Sequence, residues 1–427
     1  MSEEKLVPKL RFPSYSSEWH SYTLGEILTF YSTNSFSREK LNYDGGSVKN
    51  IHYGDIHTKF PSIVSISNNK DIPFINNEID LSKYSEDQYL QNGDLIIADA
   101  SEDYEDIGKA IEVKNINDEK VLAGLHTILA RDNNNITVNG FKAYLFSTNS
   151  LKTKIKIIAN GISVLGISKN NLSKLTVNVP SKNEQNDVVD FISLIDNKIE
   201  LLEQKHQYYQ EFKKFLMQQI FAQKLRFDYE EYTLKEICEK IENGFSGTQV
   251  PYKTQFPVTR IETISSGKIN YEKVGFVDEI SERYKLKNGD ILLTNINSLK
   301  WIGNAVYYDG EQELYHGMNL MLLRTKKDFN SKYLYYYISY NNNWFKKMAC
   351  QAVNQASINK TTLEKFKIKF PSITDQNNIS NVLTLTDEKI QSIQNKIELT
   401  NKFKKGLLQQ MFVVQLILSL LQNKKHI

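Results

Sequence analysis

The sequence predicts a mixed α/β (α+β) protein. Two globular domains are separated by two long antiparallel, coiled-coil-like helices, and the whole is a pseudo-two-fold tandem repeat. Three observations predict this. Short stretches recur in the same order in both halves of the chain. Two helical stretches 191 residues apart are nearly the same. Apolar residues along those stretches step by three and four, as a heptad seam requires.

The repeat begins with Tyr22-Thr23-Leu24-Gly25-Glu26-Ile27, which recurs as Tyr232-Thr233-Leu234-Lys235-Glu236-Ile237. Asn92-Gly93-Asp94-Leu95 recurs as Asn288-Gly289-Asp290-Ile291, and Gly108-Lys109-Ala110-Ile111 as Gly303-Asn304-Ala305-Val306. Pro180-Ser181 and Gln185 recur as Pro371-Ser372 and Gln376. Phe212 to Phe221 recurs as Phe403 to Phe412, with seven of ten positions identical. Ordered matches over the whole length mean two copies of one unit. The copies agree at their edges and diverge in the middle, as a shared scaffold with two different surfaces would.

The division that follows is residues 1–183 for the first domain and 184–223 for a central helix. The second domain is 224–374, the distal helix 375–414 and a tail 415–427. Each Asn-Gly-Asp triplet is a turn signal before a short β-rich run, Leu95-Ile96-Ile97-Ala98 or Ile291-Leu292-Leu293-Thr294. Ser331 to Ile338 reads as a short amphipathic helix. In the first long helix Val188, Ile192, Ile195, Ile199, Leu202, Phe212, Leu216 and Ile220 form the seam, with His206 and Tyr209 between them. Ile379, Leu383, Ile390, Ile393, Ile397, Phe403, Leu407 and Met411 do so in the second. Each helix follows a proline, Pro180 or Pro371, which suits a helix boundary. About 35 helical residues span roughly 50 Å. Two such seams in one chain pack best antiparallel, since each helix leaves its own domain.

Composition bounds the rest. Among 427 residues, 40% are hydrophobic and 24% charged, a globular balance with apolar residues for more than one core. Lys and Arg number 53 against 50 acidic residues, a net charge of +3, which excludes a histone-like binder but not local basic patches. Two cysteines, Cys238 and Cys350, are too few for a disulfide framework or paired-cysteine zinc site. Cys238 falls in the apolar period Leu234-Ile237-Cys238-Ile241 and reads as core. No leader-like apolar segment follows Met1, and the apolar run Phe412 to Leu421 is too short for a membrane span, which needs about 20 residues. The expectation is a cytoplasmic protein.

Catalytic signatures do not appear. There is no P-loop, no Gly-x-Gly-x-x-Gly, no His-Glu-x-x-His, no Gly-x-Ser-x-Gly and no Asn/Asp-Pro-Pro-Tyr/Phe. What remains is a set of polar segments within each domain. The first domain offers Lys49, His52, Tyr53, Asp55, His57, Thr58, Ser101, His126, Thr127 and Lys169. The second offers Arg260, Thr263, Asn295, Asn297, Ser298, Lys300, Asn319, Gln355, Ser357 and Asn359. Arg and Lys match guanine N7/O6, and Asn and Gln match adenine N7/N6, in the major groove. Lys, Ser and Thr contacts to phosphate position a protein without reading sequence. Asn, Ser and Thr also cap helices and close turns, and both roles stay open for each residue.

Two variable domains separated by near-identical helices resemble the specificity (S) subunit of type I restriction–modification systems. The resemblance covers essentially the whole chain. It is carried by Pro8-Lys9-Leu10-Arg11-Phe12-Pro13 and Trp19, by Tyr53-Gly54-Asp55-Ile56-His57-Thr58, and by His316-Gly317-Met318-Asn319-Leu320. Its strongest carrier is the duplicated Pro-Ser, Gln and Phe-Lys-Lys…Leu-x-Gln-Gln-x-Phe pattern. It implies two target recognition domains, each reading one half of a bipartite site in double-stranded DNA. The helices would set the spacer and dock two methyltransferase (M) subunits, with Ile192, Ile199, Phe212, Gln218, Leu383, Ile390, Phe403 and Gln409 as candidate contacts. S-adenosylmethionine, ATP and magnesium would belong to the M and restriction (R) subunits, and the chain itself would hold no cofactor or metal and catalyse nothing. The resemblance ends near Phe412, and Val413 to Ile427 is an extension that prolongs the seam, packs on a partner or frays. A non-DNA-binding coiled-coil adaptor is the alternative from another class.

Overall fold

The computed structural model describes residues 4–67, 69–225, 227–265, 267–352, 355–412 and 414–418. The chain divides into two compact units, one of Met1–Leu201 with Lys396–Ile427, the other of Leu202–Asn395. Each long helix is therefore shared, its two parts belonging to different units.

The first unit is built on a five-stranded sheet in the order Thr29–Tyr31, Thr127–Arg131, Leu95–Ala98, Ala110–Lys114, Ile63–Ser65. Residues alternate between the faces of a strand. Leu95 and Ile97 accordingly join one apolar cluster and Ile96 and Ala98 another. All four are fully buried, which is why this run is apolar throughout rather than alternating. One face packs on Phe141, Tyr144 and the helix residues Val188, Ile192, Ile195 and Ile199, together with Leu407, Leu408, Met411 and Phe412. The other covers a second sheet that includes the parallel pair Val48–Ile51 and Lys120–Ala123.

The second unit repeats the plan with four strands, Cys238–Asn243, Leu320–Thr325, Ile291–Thr294 and Ala305–Tyr307. Ile291, Leu293, Met321 and Leu323 face Ile220, Phe221, Ile379 and Leu383 of the helices. Cys238 lies in this core, where burial pushes its thiol up to about 12.

The Asn-Gly-Asp turns do more than reverse the chain. Gly93 and Gly289 take φ of 89° and 96°, a left-handed backbone that favours glycine. The following aspartates turn inward. Asp94 accepts two hydrogen bonds from Arg131, at 2.8 and 2.7 Å, and Asp290 accepts two from Arg324, each 2.6 Å. In both units the same aspartate also accepts the backbone N–H three residues before it, from Gln91 or Lys287.

The long helices span Lys182–Phe221 and Ile373–Phe412, 40 residues each. Both begin and end two residues before the bounds that the sequence suggests. Their starts are set by Gln185 and Gln376, buried glutamines whose amides donate to Pro180 and Pro371 carbonyls at 2.9 Å. Those side chains also accept from Val138 and Asn330 N–H groups, at 2.8 and 2.9 Å. The first helix stops because Gln223 turns left-handed, and its N–H returns to the Ile220 carbonyl at 3.1 Å.

Within the first unit the Asp196 side chain pairs with Lys404, and Trp19, bonded to Glu184, packs edge-on against Phe412. The two helix segments therefore run antiparallel there. The second unit repeats the geometry, with Lys213 on Asp387 at 2.6 Å and Ile220 beside Ile379 in one core. Tyr144 donates to Asp196 at 3.0 Å, and Tyr336 to Asp387 at 2.9 Å.

The N-terminal segment of the first unit imitates the chain leaving the first helix in the second. Leu10 N–H donates to the Gln410 carbonyl at 2.9 Å, as Leu225 N–H donates to Gln219 at 3.1 Å. Of the extension, residues 414–418 form a strand paired antiparallel with Glu4–Pro8. Its described part thus neither prolongs the helix nor frays. No described helix is long and apolar enough to cross a membrane.

Candidate nucleic-acid interface

In the first unit the polar segments converge at one end of the central sheet, where Thr127–Arg131 begins and Leu95–Ala98 ends. Tyr53 starts a short helix, Tyr53–Thr58, directly after the strand Val48–Ile51. Its ring meets three histidines, with centroids 4.6 Å from His52, 5.8 Å from His57 and 5.3 Å from His126. His126 Nδ1 lies 3.5 Å from Asp99 Oδ1, with half of the His126 side chain exposed. Burial raises the Asp99 pKa, opposed by His126 and Lys169. The His57 backbone carbonyl accepts from Lys109 at 2.6 Å, its ring Nε2 meets the Ala100 carbonyl at 3.1 Å, and its buried Nδ1 has no protein partner.

Several candidates turn inward instead. Lys49 is buried and pairs with Glu119. Asp55 is fully buried, held by two hydrogen bonds from Arg38 and a 3.2 Å ion pair with Lys59. Ser101 closes a turn with Asp103, and Thr127 donates to Gly124 O at 2.6 Å. His52 caps its helix by accepting from Gly54 N–H, and burial followed by Arg38 lowers its pKa to about 4, so it is neutral near pH 7. Lys49, Asp55, Ser101 and Thr127 thus spend their polar atoms on protein partners, as His52 does its Nδ1. Thr58 is exposed, though its hydroxyl donates back to Gly54 O, and half-buried Lys169 donates to Tyr31 O at 2.6 Å.

The second unit builds the same end differently. Its strand pair Ile296–Asn297 and Gln355–Ser357 brings two candidate segments together, as Ala100–Ser101 and Leu165–Gly166 pair in the first. Ile358 N–H donates to Asn295 O and Ile167 N–H to Asp99 O, the same bond in each unit. Arg260 is exposed and steadied by Gln249, whose Oε1 accepts its Nε–H at 2.5 Å. Thr263 is buried, accepting Arg260 N–H and donating to Lys273 O, so it clamps this turn. Asn295 is buried, donates to Asn243 at 3.2 Å, and leaves its Oδ1 without a protein partner. Asn297 folds back onto Ser298 N–H, and exposed Lys300 lies 4.9 Å over the Trp301 ring. Ser357 is exposed on its strand, and Asn359 caps the helix Lys360–Glu364 through Thr362 N–H. The side chain of Gln355 lies outside the described residues.

The left-handed position before each central strand is shared. His126 has φ 54° and precedes Thr127–Arg131, and Asn319 has φ 66° and precedes Leu320–Thr325. Both units therefore present polar groups at the same open end, with His, Tyr and Lys in one and Arg, Asn and Lys in the other. Such groups suit base edges and phosphates. Among the described residues no group of three or more His, Cys, Asp or Glu is placed to hold a metal. Asp99, Gln249 and Trp301 escaped sequence reasoning, because only the strand ends bring them to the site.

On the helices, Ile192, Ile199 and Leu383 are buried inside their own units, so they cannot meet a partner. The seam period marks the internal face at these positions, but its Phe212 and Phe403 are exposed. Ile390 and Gln409 are half-buried, while Phe212, Gln218 and Phe403 are exposed. Phe212 and Phe403 thus keep an outward place, and further exposed apolar positions join them. The first unit exposes Leu194, Leu201, Leu399 and Phe403, and the second exposes Leu385, Tyr208, Phe212 and Phe215. Leu194 and Leu385 occupy equivalent repeat positions, as do Leu399 and Tyr208, and Phe403 and Phe212. Leu194, Leu201, Tyr208 and Phe215 recur every seven residues, a second period visible in the sequence.

The model of the type I restriction modification DNA specificity domain matches this chain twice, at residues 16–208 and 227–401. A putative type I restriction enzyme MjaX specificity subunit from Methanocaldococcus jannaschii is 42% identical over 193 residues, 43% of this chain and 45% of that one. The MjaVIII specificity subunit of the same organism is 24% identical over 291 residues, 62% of this chain and 66% of its own. The alignments span about half to two thirds of these relatives. Among solved structures, the S subunit of a type I restriction–modification system from M. genitalium has a TM-score of 0.61 at 15% identity, covering 96% of this chain and 99% of that one. A chain from a study of complex assembly and conformational transition of the type I system has a TM-score of 0.56 at 16% identity, covering 92% and 97%.

Proposed function

Because this chain belongs to the type I restriction–modification DNA specificity family, we propose that it is a non-catalytic specificity subunit that reads a bipartite site in double-stranded DNA. Each unit reads one half-site. The observation that carries this reading is one strand frame used twice, ending in unlike polar side chains around His126 and around Asn319. Equal frames with unequal readers call for two different half-sites in a non-palindromic target.

The chemistry is supplied by partners. S-adenosylmethionine belongs to methyltransferase subunits, and ATP and magnesium to restriction subunits. The duplicated exposed positions Leu194 and Leu385, Leu399 and Tyr208, Phe403 and Phe212 suit two copies of one methyltransferase subunit, one on each unit. What favours a partner surface is their recurrence at the same positions in both units, since single exposed apolar side chains are ordinary. With a net charge of only +3, the chain gains phosphate grip from its partners, and the assembled complex binds with marked salt dependence. The family supports a cytoplasmic setting.

The test is adenine-methylation mapping in cells expressing the chain with its methyltransferase subunit, against cells lacking the chain. A new motif of two unlike half-sites with a fixed spacer is expected. No motif despite a stable complex would refute the reading, and no complex at all would favour the adaptor alternative.

A further inference from the structure

We propose that His126 and Asn319 are the equivalent specificity-determining positions of the two units, each contacting a base of its own half-site. The proposal rests on the DNA-reading function above and narrows it from twenty candidates to one position per unit.

Equivalence follows from strand register. Thr127 pairs with Ala98 and Ala130 with Leu95 in the first unit; Leu320 pairs with Thr294 and Leu323 with Ile291 in the second. The buried Arg131–Asp94 and Arg324–Asp290 pairs lock the far ends of these strands in the same alignment. One residue before each register stand His126 and Asn319. Across from them, one residue beyond the partner strands, stand Asp99 and Asn295.

Both positions are left-handed, with φ of 54° and 66°. Of the six described non-glycine residues with positive φ, four are Asn, the best tolerated type, and His126 is the one aromatic ring. Glycine would relieve the strain at either place. A side chain kept there despite it points to a use for that side chain.

The preceding residues fix the approach. Gly124 and Gly317, two residues upstream in each unit, pack so closely on a neighbouring segment that a Cβ would lie 2.8 Å from Ile51 O or 2.0 Å from Thr259 O. The turn is thereby pinned, and its next side chains are carried outward, with Met318 42% exposed. His126 is half exposed, held edge-on by Tyr53 and oriented by Asp99. Asn319 is half-buried beside Asn295, whose buried Oδ1 has no protein partner. Imidazole and carboxamide present different donor and acceptor sets, so the same frame selects different bases in the two units.

The test uses the whole chain in complex with its methyltransferase subunit, with His126→Asn and Asn319→His as variants. Both residue types accept a left-handed backbone, so each variant keeps the turn. Methylated adenines are mapped across the host genome. His126→Asn is expected to change or loosen one position of the first half-site, discrimination there falling on the order of 10-fold, while the second half-site stays as it was and reports intact folding. Asn319→His should do the converse. A variant that directs no methylation is read instead by binding to duplexes carrying the wild-type motif or one substituted base. Loss at one position of one half-site supports the proposal, whereas equal loss on all duplexes overturns it. An unchanged motif with wild-type discrimination also overturns it. A wild-type chain that directs no motif removes the DNA-reading function and this proposal together.

Discussion

Lys213 reaches Asp387 at 2.6 Å in the second unit, and the residues 191 positions away, Asp196 and Lys404, form the same pair in the first. In each unit the aspartate also accepts a hydrogen bond from a buried tyrosine, Tyr336 or Tyr144. The duplicated sequence is thus expressed as duplicated bonds, and each unit can be perturbed with the other as its control.

The buried pair Arg131–Asp94 yields the largest expected effect on stability. Asp94→Ala leaves a guanidinium in the core without its counter-charge, which costs about 3–5 kcal/mol. Thermal or urea unfolding of this variant should show that loss, and Asp290→Ala should match it in the second unit. A loss under 1 kcal/mol would show that the arginine finds water or another acceptor.

The helix seam and the outward positions should separate cleanly. Leu383 is fully buried, so Leu383→Ala should lower stability by about 2–5 kcal/mol. Leu385 is mostly exposed, so Leu385→Ser should leave unfolding within about 0.5 kcal/mol of the parent. The same Leu385→Ser change should weaken binding of a methyltransferase subunit, measured by titration calorimetry. Unchanged affinity for Leu385→Ser and Leu194→Ser together would remove these positions from the interface.

Arg260 distinguishes a base contact from a phosphate contact. Arg260→Ala should relax one position of the second half-site by about 1–3 kcal/mol if it reads a base. Uniform weakening on all sequences, with a salt slope reduced by about one, would assign it to phosphate.

His316 makes stability depend on pH. It is fully buried and lowered to about 4, chiefly by desolvation. The folded state therefore holds it neutral, whereas the unfolded chain protonates it near 6.5. Stability from the neutral ring is complete above pH 6.5 and is lost as pH falls toward 4. Urea midpoints between pH 7.5 and 4.5 should fall less steeply in His316→Gln than in the parent. Parallel slopes would show that His316 does not drive the loss.

Much of this was legible in the sequence for a physical reason. Periodicity and ordered repetition are properties of the chain, so both long helices and the two-copy plan can be read from spacing alone. The Asn-Gly-Asp turns were equally clear, since left-handed φ at Gly93 and Gly289 favours that residue type. Their second role was not, because Arg131 and Arg324 lie 37 and 34 residues from the aspartates they hold.

The polar candidates mark the limit. Asp55 and Thr263 have the composition of readers, yet burial and internal partners make them clamps, whereas Arg260 beside Thr263 stays exposed. Spacing along a loop carries no information about which way a side chain points. Ile192 and Leu194 differ by two residues on one helix, and one is buried while the other is 67% exposed. The sequence by itself determined the repeat, the helices and the family, because these rest on local periodicity and order. Only the tertiary structure decided which polar groups are open and that His126 and Asn319 share one place, because strand register joins residues far apart in the chain.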